Sequence, residues 1–469
     1  FGSSPGRSHR FDAMPALQSR MAFRAAVTAA AAAVLPATVL GDVAVATCSS
    51  REGWQCLDHD DDAATVQELG LDVLGNATGM RGRPVWWREV FLAELCEGYG
   101  EITRLRLRSN PEPGEEEPKS TKQDDEVSLV VKRFVPKAAE LVAPGAIAAS
   151  EHERFLDHIL VEAAAYHNLS EDLLSAGLRV PRLLHHSGSG RGKNMTLVFE
   201  DLSRTFSRGA IRSKAEVKDS RGKASNGHRQ MTSVELKSAL GWLAGFHAMF
   251  WEKSAAQERG LWKRGSYWIL DAKGQHELEG VREDYSNRYV SNNEWRRLRA
   301  AAAALDARLA GEDGSSGSSS TRFMTLVHGD AKPANILCSS ARGPEVECAL
   351  IDFAWTGEGY GMRDVMYMLW GEWTRPDVEA LLDYYHARLL KKLEPEAAAS
   401  YTRSVMWQHL ELGVLDFMRW WGGFQGGKHM WAMPWAMDIL RDTLDRLDGG
   451  KVLTEEEYAE AVRRNFPLI

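Results

Sequence analysis

Leu326-Val327-His328-Gly329-Asp330-Ala331-Lys332-Pro333-Ala334-Asn335-Ile336-Leu337 is followed by Ile351-Asp352-Phe353, and these two segments decide the fold. Phosphoryl transfer to a hydroxyl needs an acid–base group at the attacking oxygen, and hard oxygen ligands for the metal ions that neutralise the phosphates. Asp330 can accept a hydroxyl proton; Asn335, five residues on, and Asp352, seventeen beyond that, offer an amide and a carboxylate oxygen. The interval suits that task. Asn335 to Ser339 is a short apolar run, Ser340 to Pro344 is turn-rich and Val346 to Ile351 is a second apolar run, the pattern of a β-hairpin. Such a hairpin carries Asp352 back beside Asn335. Acids and amides in loops commonly cap turns, but that role does not account for three of them at this spacing between two apolar strands.

The bulk of the chain fits a globular protein of 469 residues, long enough for two lobes with separate cores. A net charge of -8 argues against nucleic acid as a partner, because phosphate backbones are held by many Lys and Arg side chains. The five cysteines, Cys48, Cys56, Cys96, Cys338 and Cys348, are odd in number and form no CxxC pair. That suits a reducing compartment and gives no zinc framework. Residues 1–50 read as an alanine-rich leader, with Arg7, Arg10, Arg20 and Arg24 against the single acid Asp12 in the first 41. An organellar transit segment, a secretory signal ending at Ala44-Val45-Ala46 and a disordered leader all fit it, with Met14 and Met21 as alternative starts. No later run is long and apolar enough to span a bilayer.

Three polar breaks divide the remainder: the acidic Asn110 to Glu126, the mostly basic Ser203 to Gln230, and the Gly/Ser-rich Gly311 to Thr321. All three read as solvated loops, the basic one being able to dock an acidic partner. Between them, Ile102 to Leu107, Val127 to Phe134 and Met195 to Phe199 have strand patterns, the first two as neighbours joined by the acidic insertion. Ser150 to Leu174, Val234 to Trp251, Arg363 to Trp370, Val378 to Leu393 and Tyr401 to Trp420 have helical spacing. A mostly β first part and a mostly helical second part predict an α+β protein of two lobes. The boundaries fall at 51–202 for the mostly β lobe and 203–469 for the helical one.

The strings VHGDAKPANIL (327–337) and LIDFAWTGEGYGMRDVMYML (350–369) resemble the motif pair of the aminoglycoside phosphotransferases, choline kinases and ecdysteroid-kinase-like small-molecule kinases. LVFEDL (197–202) is similar to their hinge, and LAGFHAMF (243–250) to the helix that follows it; the resemblance spans roughly residues 85 to 440 by order of motifs. It implies a protein-kinase-like two-lobed fold, ATP and Mg²⁺ as cofactors and a small hydroxylated molecule as acceptor. On these positions Asp330 becomes the catalytic base, and Asn335 and Asp352 the metal ligands. Lys332 is expected either to reach the transferred phosphate or to face solvent. His328 joins the catalytic candidates, although bonding to backbone to shape the loop is the plainer expectation.

The nucleotide lobe has its own candidates. Lys132, between apolar neighbours in Leu129 to Phe134, suits a lysine that pairs α/β-phosphates and a helix glutamate, or else a surface lysine. Glu162 is its best partner, ahead of Glu151 and Glu153, which fall near the helix start. Gly98 and Gly100, in Glu97-Gly98-Tyr99-Gly100-Glu101, give a phosphate-covering turn that lacks a third glycine. Glu200, Asp201 and Leu202 would offer backbone groups to adenine. Asp364 is expected as the N-cap of the helical run from Val365, or as a tie for the metal-site loop. Trp407, Trp420, Trp421, Trp431 and Trp435 are expected mainly in the core; an exposed minority, with Glu411 and Asp416, would suit a cationic or amphipathic alcohol.

A small-molecule kinase is thus the leading reading. A protein kinase is the second, weakened by Gly329 where such loops carry arginine, by Ala354 where DFG has glycine, by the absence of a following Ala-Pro-Glu, and by the short run from Asp352 to Trp373. A catalytically silent binding module is the third; it would ordinarily lack the base, a metal ligand or the lysine, and all have candidates here.

Overall fold

A computed structural model describes residues 55–56, 85–95, 98–109, 126–137, 146–188, 190–209, 231–270, 286–287, 289–311, 321–339, 343, 345–371, 373–423 and 433–467. The leader, the two polar insertions beyond their first or last residues, the Gly/Ser run, the hairpin turn except Gly343, Cys48, Cys96, Glu97 and Trp431 lie outside the described residues. The chain divides into two compact units, Phe1–Arg88 with Leu107–Val127, and Glu89–Arg106 with Ser128–Ile469. Every side chain assigned to the site by the sequence lies in the larger unit.

The architecture is α+β, with the main sheet early in the chain and helices later. The strands β1 (Gln55–Cys56), β2 (Val85–Glu94), β3 (Gly100–Ser109), β4 (Glu126–Phe134), β5 (Leu183–Ser187) and β6 (Met195–Glu200) form one sheet in the order β1-β2-β3-β4-β6-β5. Strands β3 and β4 are neighbours, as their patterns predict. In β4, Leu129 and Val131 are buried on one face, and Lys132 shares the other with Phe134. Phe134 belongs to the same core cluster as Ile159, Ala163 and Tyr166 of helix α1 (Ala146–Ser175). The buried stripe Phe155, Ile159, Ala163, Tyr166, Leu169 and Leu173 recurs at threes and fours, so α1 lays one face on the sheet. Glu162 lies within that face.

The helical part is built around α2 (Ser233–Met249), which starts at a Thr232/Glu235 capping box. It is apolar on several sides because other elements surround it, and Leu240, Leu243, Ala244 and Phe246 are fully buried. Two short ladders follow α3 (Asn292–Leu309). Strand β7 (Met324–Val327) pairs with β10 (Gly357–Tyr360), and β8 (Ile336–Cys338) pairs with β9 (Cys348–Leu350), the expected hairpin. Among the described residues this part continues with α4 (Met362–Met368), α5 (Arg375–Leu390), α6 (Pro395–Ser400), α7 (Arg403–Gly423), α8 (Pro434–Asp448) and α9 (Glu455–Asn465). Gly422 of α7 admits the ring of Trp295, since a Cβ there would lie 2.6 Å from it. Trp420 and Trp435 are core residues, while Trp407 and Trp421 are partly buried.

The cysteine count is corrected here. The hairpin register sets Cys338 opposite Cys348, and a disulfide joins them. Counting cysteines gives no register, so the pair is invisible to arithmetic on the sequence. Among the described residues no helix is long and apolar enough to cross a membrane.

One buried ion pair ties the last helices to α3. Arg297, 4% exposed, donates through Nε to Asp448 at 3.0 Å and through Nη2 at 2.6 Å, with a further bond to Asp445. Removing the cation leaves the fully buried Asp448 carboxylate without its ionic partner, a loss on the order of 3 kcal/mol. Arg297→Met is therefore expected to lower the urea midpoint clearly, and Arg297→Met with Asp448→Leu to recover part of the loss; an unchanged midpoint in the single variant would contradict this.

Candidate active site

The loop from His328 to Asn335 is held from below by a carboxylate. Asp364 accepts the backbone N–H of His328 at 2.6 Å and that of Gly329 at 2.9 Å, and its Oδ2 also meets Nε2 of His247 at 3.2 Å. The other ring nitrogen of His247 pairs with the Tyr385 hydroxyl at 2.7 Å. Asp364 is thus the loop tie, not the N-cap; Gly361 occupies the cap position of α4. Gly329 has φ +80, and a Cβ on it would come within 2.1 Å of the Trp355 carbonyl. A side chain at 329 is excluded by both backbone strain and space.

From that base the loop presents Asp330, 4% exposed. Its Oδ2 accepts Lys332 Nζ at 2.7 Å and Asn335 Nδ2 at 2.9 Å, while its Oδ1 is buried and has no hydrogen-bond partner. A buried carboxylate oxygen left open is costly unless a ligand supplies the missing donor or cation. Asn335 spends its amide nitrogen on Asp330, bonding the backbone carbonyl as well at 2.9 Å, which turns its own oxygen away from the carboxylate. His328 is corrected as a catalytic candidate. It is fully buried, Nε2 meets the Ile351 carbonyl at 3.0 Å, Nδ1 accepts the Asp330 N–H at 3.3 Å, and its ring lies 4.6 Å from Phe353. Both nitrogens are spent on holding the loop against the strand that leads to Asp352.

Asp352 closes the site from the other side of the hairpin. Its backbone has φ +70, a conformation a non-glycine residue adopts at a cost, and its N–H donates to the Tyr166 hydroxyl at 3.2 Å. Lys132 Nζ donates to Glu162 Oε2 at 2.5 Å and reaches Asp352 Oδ1 at 3.5 Å. Strand β4, helix α1 and the segment just beyond β9 thus converge on one ammonium. Tyr166 stands one turn beyond Glu162; its helical position is visible in the sequence, but its partner is 186 residues away.

The charges respond to this crowding. Burial pushes the Asp330 carboxyl above its ordinary range and the neighbouring Asp352 adds to that, while the Lys332 ammonium opposes it. Asp352 is also driven up by burial, but Lys132 and Lys332 overcome that and hold it down at about 2. Burial raises Glu162 to about 7 against the pull of Lys132, and the charge of Asp352 raises it further. For Lys132, burial favours the neutral amine, yet the two carboxylates outweigh it and keep it above the usual lysine range. One ammonium shared by two carboxylates explains the asymmetry. Asp352, 36% exposed at its side chain, keeps its charge, and Glu162, at 2%, is the harder to ionise.

The remaining candidates divide between site and scaffold. The turn between β2 and β3 contains Gly98 and Gly100; Leu95 N–H donates to the Gly100 carbonyl at 2.9 Å, and a Cβ on Gly100 would fall 1.9 Å from the Arg133 carbonyl. Tyr99 between them bonds His152 through its hydroxyl at 2.6 Å, which fastens the turn to α1. At the hinge the side chains are spent on the fold. Glu200 pairs with Arg179, Asp201 accepts Arg104 Nε at 2.8 Å and Ser128 Oγ at 2.5 Å, and Leu202 packs with Phe206, Leu337 and Ala349. The expected acidic lining of an acceptor pocket is corrected: Glu411 is bound by Arg446, and the fully buried Asp416 by Arg419.

The donors suit a magnesium ion: an ionised carboxylate at Asp352 and an amide oxygen at Asn335 are hard oxygens. Among the described residues there is no group of three or more His, Cys, Asp or Glu side chains able to enclose a metal by themselves. A cation held by few protein oxygens plus phosphates and water does not need such a group.

No curated protein sequence matches the chain significantly. Similar solved structures include a microcompartment-associated aminopropanol kinase, 15% identical over 81% of this chain and 93% of the other, with a TM-score of 0.39. The spectinomycin phosphotransferase APH(9)-Ia, in complex with ADP and spectinomycin, is 11% identical over 80% and 93%, with a TM-score of 0.36. Choline kinase LicA from Streptococcus pneumoniae is 14% identical over 80% and 92%, with a TM-score of 0.34. The family model described as the phosphotransferase enzyme family (APH) matches residues 114–401, which include Lys132, Glu162, the whole loop from His328 to Asn335 and Asp352. This chain belongs to the phosphotransferase enzyme family.

Proposed function

We propose that this phosphotransferase moves the γ-phosphoryl group of ATP to a hydroxyl of a small-molecule acceptor, with Asp330 as the base. The observation that carries the reading is the buried, unpartnered Oδ1 of Asp330 beside an Asn335 and a Lys332 already oriented on Oδ2. An acceptor hydroxyl donating to that oxygen satisfies it and is aimed for attack. Lys132 pairs the α/β-phosphates with Glu162 as its orienting partner, Gly98 and Gly100 shape the turn over the phosphates, and the backbone of Glu200, Asp201 and Leu202 meets adenine. Asn335 and Asp352 would hold Mg²⁺, whose charge neutralises the phosphate oxygens when bound. Lys332 steadies the base and lies where its ammonium can meet the transferred phosphate. Residues 51–202 then serve as the nucleotide lobe with hinge, and 203–469 as the acceptor lobe.

A small acceptor is favoured over a protein. The chain goes from Asp352 through β10 directly into α4, whose residues are all buried, so little chain is left to form a peptide groove. The net charge of -8 likewise favours a small molecule over nucleic acid.

Transfer of label from γ-labelled ATP to pooled alcohols tests the assignment of the base. Asp330→Asn is expected to lose on the order of 10² to 10⁴ in kcat; equal turnover by wild type and variant would sink it. The pH profile supplies a second check. Asp330 must be unprotonated, so the rate falls as pH drops through its pKa, and Lys332 is the cation that restrains that pKa. Lys332→Met should therefore move the acid limb of kcat/KM to higher pH, whereas an unmoved limb would separate Lys332 from the base.

A further inference from the structure

One buried arginine lies beside the catalytic loop without touching its carboxylate. Arg363, 2% exposed, immediately precedes the loop tie Asp364 in the first turn of α4. Its Nη1 donates to the Gly265 carbonyl at 3.1 Å, and its Nη2 lies 3.6 Å from Oδ2 of the fully buried Asp416 of α7. Asp416 is shared. Arg419 binds its Oδ1 and also donates through Nη2 to the Trp268 carbonyl at 2.8 Å. Two guanidinium groups joined through one carboxylate thus hold the carbonyls of Gly265 and Trp268. Nε of Arg363 has no hydrogen-bond partner among the described residues. A well-packed apolar side chain is often no less stable than a buried cation so incompletely met. What this cation does fix is the backbone between those two carbonyls.

That backbone packs against the start of the loop. A Cβ on Gly265 would strike a methyl of Val327, the residue before His328, and would fall 3.0 Å from the Gly357 nitrogen. The Gly265 N–H donates to the Glu358 carbonyl at 2.9 Å, and the Ser266 N–H to the Trp355 carbonyl at 3.1 Å. The same Ser266 nitrogen and Trp355 carbonyl are what a Cβ on Gly329 would meet. Ser266 is itself buried at φ +89, a left-handed conformation that a serine keeps only where its surroundings enforce it. Arg363 enforces it from Gly265, and Arg419 from Trp268. Gly329 leads directly into Asp330, so the place of the base depends on this segment as well as on Asp364.

We propose that Arg363 is a positioning residue for Asp330, acting through the backbone of Gly265 and Ser266, with Asp416 holding its guanidinium in place. This rests on the phosphotransferase reading above. Asp364 fixes the loop through two of its N–H groups, and the adjacent Arg363 fixes the backbone that Gly329 packs against. Lys132 and Glu162 stand on β4 and α1, which take no part in these bonds. Loosening the segment therefore misplaces the base and spares the nucleotide groups, so the loss falls on kcat and not on KM for ATP.

The test is label transfer by the full chain from γ-labelled ATP with magnesium to pooled alcohols. Arg363→Gln is expected to lower kcat on the order of ten- to a hundredfold, with KM for ATP changed by no more than about twofold. Arg363→Lys, which keeps the charge and a donor for the Gly265 carbonyl, should restore part of the loss. Asp416→Asn, made on α7 away from Asp364, should lower kcat in the same way, and adding it to Arg363→Gln should cost little more, since both act on one guanidinium. In the Asp330→Asn background, Arg363→Gln should leave the residual rate nearly unchanged, because no base is left to place. Hydrogen exchange needs no acceptor: in Arg363→Gln the Ser266 and Gly329 amides should exchange faster while those of α2 do not, and a thermal shift confirms that each variant is folded. Unchanged kcat in Arg363→Gln, a loss confined to KM for ATP, or an equal further loss on top of Asp330→Asn would overturn the positioning role and leave the phosphotransferase reading intact. Absence of Asp330-dependent transfer to every alcohol would overturn both.

Discussion

Two backbone N–H groups, of His328 and Gly329, converge on the buried carboxylate of Asp364, and the geometry of the site hangs from that contact. It sets the start of the loop, so the position of Asp330 follows from how the chain leaves Gly329. The carboxylate is itself fixed by His247, which Tyr385 holds in turn, so a core helix and its neighbour determine where the loop can lie. A charge is affordable there because its oxygens are met by donors; without them a buried carboxylate would carry a large desolvation penalty. Next along the loop, His328 carries the constraint to the Ile351 carbonyl, and hence to Asp352.

The electrostatic arrangement follows from this placement. Three carboxylates and two ammonium groups occupy a small volume, and no simple pairing satisfies them all. Lys132 is shared between Glu162 and Asp352, while Lys332 serves Asp330 and also helps to keep Asp352 ionised. The oxygen left over is Oδ1 of Asp330. An unmatched polar atom at the centre of an otherwise matched network is the mark of a site built for something that arrives later. The left-handed backbone at Asp352, steadied by Tyr166, belongs to the same economy, with local strain held in place by surrounding contacts.

Much of this was legible from local pattern. Asp330, Asn335 and Asp352 are joined by a hairpin, and a hairpin can be read from two apolar runs and a turn. The approach of Lys132 to Glu162 is foreseeable because strand period and helix period each put the residue on a particular face. What could not be read were partners far apart in sequence. Asp364 looks like an N-cap from its neighbours, since nothing local points to a loop 35 residues earlier. Glu411 and Asp416 look available until Arg446 and Arg419 are seen beside them. Cys338 and Cys348 look like two of five unpaired thiols until the register opposes them.

The central claim is that phosphate leaves ATP for an alcohol and not for water. Following the phosphorus resonances during turnover with magnesium, ATP and a pool of small alcohols measures this directly. The account predicts one phosphomonoester for each ADP formed, with little inorganic phosphate. ADP accompanied only by inorganic phosphate would contradict it.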